Sequence, residues 1–134
     1  MAGPADTFTE ARDALDVGLP RLIGRGFRFI HSTDDAGDVV AVIGVRVHHN
    51  VVDVLQLNED VVSATRMSAD EPDVLAPRSW LWRSTGAVQD VLHDLLTLPD
   101  DRTPGVLPQP ATVAARGCWV PTRPGRFQWL AAQA

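Results

Sequence analysis

The stretch RVHHNVVD, residues 46–53, sets two adjacent histidines, His48 and His49, between Arg46 and Asp53, and Arg66 follows thirteen positions after Asp53. Imidazole, carboxylate and guanidinium together could ligate a metal, move a proton or clamp an anion. A metal is disfavoured by geometry: neighbouring strand residues point to opposite faces, and a structural site needs four closely placed ligands. The sequence instead reads His49-Asn50 as a two-residue hairpin turn. That turn sets Val47 opposite Val52, Arg46 opposite Asp53 and Val45 opposite Val54. Asn50 tolerates the positive φ such a turn demands, His48 projects from the strand end, and the pair are turn and surface histidines.

A second two-residue turn at Glu59-Asp60 brings Arg66 opposite Asp53. Arg46, Asp53 and Arg66 then form one row across three strands, with His48 beside it. Two guanidinium groups around one carboxylate suit a phosphate or carboxylate ligand. The competing reading, which the sequence favours, is a solvated cross-strand charge ladder.

Other reactive residues carry less. The DDAGD segment, residues 34–38, lacks the ligand spacing of a calcium loop and reads as a turn. His31 follows two phenylalanines and reads as a hydrogen-bonded core residue, and His93 sits on the polar face of a helix. Cys118 has no base near it in sequence to activate it. No GxSxG, HExxH, CxxC or phosphate-binding glycine motif occurs, so no catalytic residue, metal or cofactor is assigned.

The aromatic residues offer contact chemistry. Trp80 and Trp82 in RSWLWR are read as core, or, if outward, as an interface anchor. The segment RGCWVPTRPGRFQWL mixes Trp119, Phe127 and Trp129 with Arg116, Arg123 and Arg126. It could dock on an acidic partner, fill grooves on its own domain or a second copy, or stack on single-stranded nucleic acid.

The 134 residues are 45% apolar and 22% charged, enough to bury a core without disulfides. A net charge of −5 argues against broad duplex binding, and nucleic acid is not the expected partner. No lysine is present, which excludes Schiff-base chemistry and a P-loop lysine, and no tyrosine is present either. One cysteine permits no internal disulfide, consistent with a reducing cytosol. No run approaches the roughly 20 apolar residues of a membrane span, and no signal segment is evident. The expected place is the cytoplasm, and the bias toward Ala, Arg, Gly, Pro and Val without lysine suggests a GC-rich bacterium.

The elements that must position these residues follow from periodicity. Residues 7–20 read as a helix, capped by Thr7 and Glu10, stopped by Gly18 and Pro20, with Phe8, Ala11 and Leu15 on its buried face. Strands follow at GFRFIHS, VVAVIGVRVH, VVDVLQL and VVSATRM, a four-strand meander turning at NED, residues 58–60. An acidic loop spans residues 68–77, and residues 78–83 read as a fifth strand with Trp80 and Trp82 on one face. Ser84 or Thr85 caps a second helix whose stripe is Val88, Val91, Leu92, Leu95 and Leu96. The expectation is an α+β fold: a four- to five-stranded antiparallel sheet, an N-terminal helix, a second helix on the sheet, and a proline-rich C-terminal arm. Residues 1–98 form the domain and residues 99–134 the arm, packed on the domain or on a partner. The functional expectation is a small soluble, non-catalytic binding or regulatory protein acting through protein contacts, with homodimerisation compatible. The alternative is an anionic-ligand-binding domain or enzyme using Arg46 and Arg66 with a histidine.

Overall fold

The computed structural model of the chain describes residues 4–58, 61–100, 102–105, 116–123 and 126–132, with backbone alone at 4–12, 39 and 40. The element order is α1 (Pro4–Gly24), β1 (Arg28–Thr33), β2 (Val39–His48), β3 (Val51–Leu57), β4 (Val62–Ser68), β5 (Trp82–Thr85), α2 (Val88–Thr97), β6 (Gly117–Arg123) and β7 (Arg126–Ala131). Strands β1 to β5 form one antiparallel meander in sequence order, and β6 with β7 forms a separate hairpin. Among the described residues no helix is long and apolar enough to cross a membrane.

Short turns dictate the register. The turn at His49-Asn50 pairs Val47 with Val52, Arg46 with Asp53 and Val45 with Val54, as its length requires. The left-handed residue, however, is His49, at φ 50°, rather than Asn50. Strand β4 pairs Asp53 with Arg66. Glu59 and Asp60 lie outside the described residues, and beside them Asn58 accepts from the Val61 amide at 2.6 Å. At the first hairpin, the Asp34 carboxylate accepts from the amides of Ala36 and Asp38, so DDAGD is a turn.

Each sheet face meets a different layer. One face presents Leu55 and Ala64, which pack with Leu22 and Phe27 and with Val88, Val91, Leu92 and Leu95 of α2. The other presents Ile43, Val45, Val47, Val52, Val54 and Met67, which the β6–β7 hairpin covers with Cys118, Val120 and Leu130. Burying each Val or Leu contributes about 1.5–3 kcal/mol, so both faces drive folding. Alternation along β6 turns Cys118 and Val120 inward and Trp119 outward.

The N-terminal helix departs from the sequence reading at both ends. It already runs at Pro4, so Thr7 is not its N-cap, and the side chains of Thr7, Phe8, Glu10 and Ala11 lie outside the described residues. It also continues past Gly18 and Pro20 to Gly24. The stop is Gly26 at φ 105°. The Phe27 amide donates to the Leu22 carbonyl and the Gly26 amide to that of Ile23, with Leu22 and Phe27 in one apolar cluster. That is a Schellman ending. Gly18 serves packing instead: a Cβ there would sit 3.0 Å from Leu92 Cδ1, so the missing side chain lets α1 approach α2.

Two further boundaries differ. The fifth strand begins at Trp82, leaving Trp80 outside it, so strand alternation does not align the two rings. Ser84 and Thr85 belong to β5, and the N-cap of α2 is Ala87, without a side-chain cap. The Ser84 hydroxyl donates instead to Asp94 at 2.7 Å.

Candidate functional site

The row predicted across β2, β3 and β4 exists, but not as a solvated ladder. Asp53 and Arg66 lie two residues along their strands from Leu55 and Ala64, and therefore face the helix layer. Both are 1% exposed, and His48 beside them is 5% exposed, so it is not a surface histidine. His49 is exposed, and the two rings meet edge to face at 5.5 Å between centroids.

Within the row the partners are redistributed. Arg66 donates from Nε to Asp53 Oδ1 at 2.7 Å and from Nη2 to Oδ2 at 2.9 Å. His48 Nε2 lies 2.7 Å from the same Oδ2. With the carboxylate ionised, that nitrogen is the donor. Burial alone would push the Asp53 carboxyl up. The hydrogen bonds and charges of Arg66 and His48 more than offset this and hold it below its ordinary value. Arg46, its cross-strand neighbour, turns away to Asp100 at 2.6 Å.

The cause is the segment after α2. Arg66 Nη1 donates to the carbonyls of Pro99 and Arg102, each at 2.8 Å, and to Thr103 Oγ1 at 3.3 Å. Arg25, just beyond α1, donates to the carbonyls of Leu95, Leu96 and Leu98 and also pairs with Asp100. Asp100 is thus shared by Arg46 and Arg25. The Arg46 hydrogen bond does most to hold its carboxyl well below the usual carboxylate range; burial opposes that shift, and the Arg25 hydrogen bond reinforces it. Three arginines from three places in the chain hold residues 95–100, 102 and 103 at the end of the sheet. The forks of Arg46 and Arg66 spend these donors on internal oxygens, while Arg46 Nε and His48 Nδ1 are buried without a hydrogen-bond partner.

Arg25 and Asp100 escaped the sequence reading. One local sign pointed to them: the last turn of α2 has no basic residue of its own. A helix C-terminus whose last turn has no cation of its own leaves carbonyls that must be served from elsewhere.

The remaining candidates separate into two groups. Trp80 is 49% exposed, with the Arg83 guanidinium 3.8 Å over its ring, whereas Trp82 packs into the helix-side cluster. On the hairpin, Trp119 pairs with Trp129 and Phe127 with Pro121. Trp119, Phe127 and Trp129 are 53%, 54% and 45% exposed, and the two indoles meet edge to face at 5.2 Å. A Cβ on Gly117 would lie 2.7 Å from the Trp129 ring, so glycine is what lets that indole lie down on the strand. Arg123 pairs with Arg126 near the hairpin tip, and Arg116 stands exposed at its base. From Arg102 to the end of the chain there are four arginines and no acid.

Cys118 lies on the inner side of the same hairpin, and burial pushes its thiol up to about 11, the opposite of activation. Among the described residues no group of three or more His, Cys, Asp or Glu is placed to hold a metal ion. Compared with known proteins, the chain matches no family model, no curated protein and no solved structure.

Proposed function

We propose that this protein is a non-catalytic binding module whose working surface is the outer face of the β6–β7 hairpin, and that its partner presents an acidic, apolar-bearing protein segment. The observation that carries the reading is the exposure of Trp119, Phe127 and Trp129 on one strand pair that also bears Arg123 and Arg126. Tryptophan and arginine are the residues that dominate contact energies, and clustered exposed aromatics are rare on surfaces that meet only water. Charge selects the kind of partner. A twofold dimer through this face would set an all-positive patch against itself, whereas an acidic segment complements it. The His48–Asp53 pair is buried and committed to Arg66.

The test is selection from a phage-displayed random peptide library on the wild type and on a Trp119→Ser, Trp129→Ser variant shown to be folded by circular dichroism. Enrichment of acidic peptides with apolar anchors on the wild type alone supports the reading. Equal enrichment on both proteins, or none, overturns it. So does tight, salt-sensitive binding of oligothymidylate without peptide binding, which would make the face a nucleic-acid surface.

A further inference from the structure

The two faces of the β6–β7 hairpin have opposite surroundings. Cys118, Val120 and Leu130 join the core, and the other face carries the cross-strand pairs Trp119–Trp129 and Pro121–Phe127. Gly117 leaves the place of a side chain open, and the Trp129 ring takes it: a Cβ on Gly117 would lie 2.7 Å from that ring. The Trp119 ring meets Trp129 at 63°, with centroids 5.2 Å apart. One indole is thus a floor and the other a wall, and Pro121 and Phe127 extend the apolar surface toward the tip. Both indoles remain about half exposed.

A sheet face offers a partner side chains only, because the amides and carbonyls of β6 and β7 bond across the hairpin in the plane of the strands. A segment that docks on this face must arrive with its own backbone satisfied, by internal helical bonds or by water. An added strand does not fit. Between helix and solvated chain, the corner selects. A helix enters it through flexible side chains that must be ordered on binding, whereas a proline in a polyproline II segment brings a rigid ring on a backbone already extended. The face of an aromatic ring is electron-rich. Proline matches it, since its ring C–H groups beside the amide nitrogen carry partial positive charge. Among the described residues only Trp80 has a guanidinium over its ring, so the hairpin indoles keep their faces for a ligand.

Charge sets the flanks of the segment. The hairpin carries Arg116, Arg123 and Arg126 and no acid. Arg123 shares a groove with Gly37, whose neighbours Asp35 and Asp38 offset its charge, so the selecting cations are the exposed Arg116 and Arg126.

We infer that the partner segment is a polyproline II stretch with acidic flanks, and that one of its proline rings sits in the corner between Trp119 and Trp129. The inference rests on the partner-binding reading above and adds the conformation and the anchoring residue of the partner.

The probe is a fluorescein-labelled peptide with a Pro-Ala-Ala-Pro centre flanked by glutamates. At about nine residues and roughly 3.1 Å per residue it overruns the six-residue β7. Its controls replace both prolines by leucine or by alanine. The full chain should bind the proline peptide about tenfold more tightly than the leucine one, although leucine is the more apolar. Binding should move the indole N–H resonances of Trp119 and Trp129 and leave that of Trp82 in place. It should be lost in the Trp119→Ser, Trp129→Ser variant. No binding of the proline peptide overturns the inference. If leucine serves as well as proline and both peptides are lost in that variant, the inference falls and the aromatic-face reading survives alone. Proline-peptide binding that persists in the variant overturns both. A dimer in sedimentation that the variant abolishes, without peptide binding, assigns the corner to a second copy and also overturns the inference.

Discussion

Asp53 and Arg66, directly opposite on β3 and β4, form a two-point ion pair at 2.7 and 2.9 Å in a place where each is 1% exposed. The pair is completed by His48 on one side and by the main chain after α2 on the other. Everything near the end of the sheet depends on that completion, since a charge buried without it is costly.

Removing the carboxylate should therefore be severe. Asp53→Ala leaves Nε and Nη2 of the buried Arg66 guanidinium without their carboxylate acceptor, an expected loss of about 3–5 kcal/mol. Arg66→Met alone strands the carboxylate and costs a similar amount. The double variant Asp53→Ala, Arg66→Met should cost less than the sum of the two, because neither charge remains to be orphaned. Urea unfolding of the four proteins measures this, and strict additivity would show that the two side chains act independently.

The same carboxylate gives stability a pH dependence of known sign. Asp53 is held below its ordinary value in the folded protein. Its contribution is thus complete above the unfolded carboxylate value of about 3.9 and is lost as pH falls through that value toward the lower folded one. Asp100 is shifted in the same direction and adds to the slope. Thermal unfolding between about pH 6 and pH 3 should show falling stability on acidification, and Asp53→Asn should flatten the curve.

Arg25 is the cation that α2 lacks. It reaches the carbonyls of Leu95, Leu96 and Leu98 from seventy residues away in sequence. Arg25→Ala should cost about 1 kcal/mol or somewhat more and fray the last turn of α2, read as faster exchange of the Leu98 amide that donates to Leu95. Arg25→Lys retains the charge without the fork and should fall between.

Gly117 sets the posture of the aromatic face. A Cβ there would lie 2.2 Å from the Leu130 carbonyl oxygen and 2.7 Å from Trp129. Gly117→Ala should cost about 1–3 kcal/mol and weaken the near-ultraviolet circular dichroism of the Trp119–Trp129 pair. Gly24→Ala is the control, since a Cβ at that position meets nothing within 4 Å.

Much of this architecture was legible in local pattern. The stripe of Val88, Val91, Leu92 and Leu95 announces α2, and all four are buried. Apolar alternation and two-residue turns announce the meander. The end of α1 was misread because glycine carries two meanings: Gly18 resembles a stop and is a packing site, while Gly26, eight residues on, is the stop. The two readings separate only when a neighbour such as Leu92 is in place.

By itself, the sequence determined which residues stand opposite one another, because turn length sets strand register and register is a local quantity. Arg46 opposite Asp53 opposite Arg66 follows from counting. Whether that row meets water was decided by the tertiary structure, through a segment thirty-three residues beyond Arg66 whose carbonyls and Asp100 carboxylate close over it. Burial is a property of what covers a face, and the cover comes from far along the chain. The partners of Arg46 and Asp53 changed for the same reason: in a desolvated site each charge goes to the oxygen or nitrogen that best satisfies it, wherever the fold places that atom.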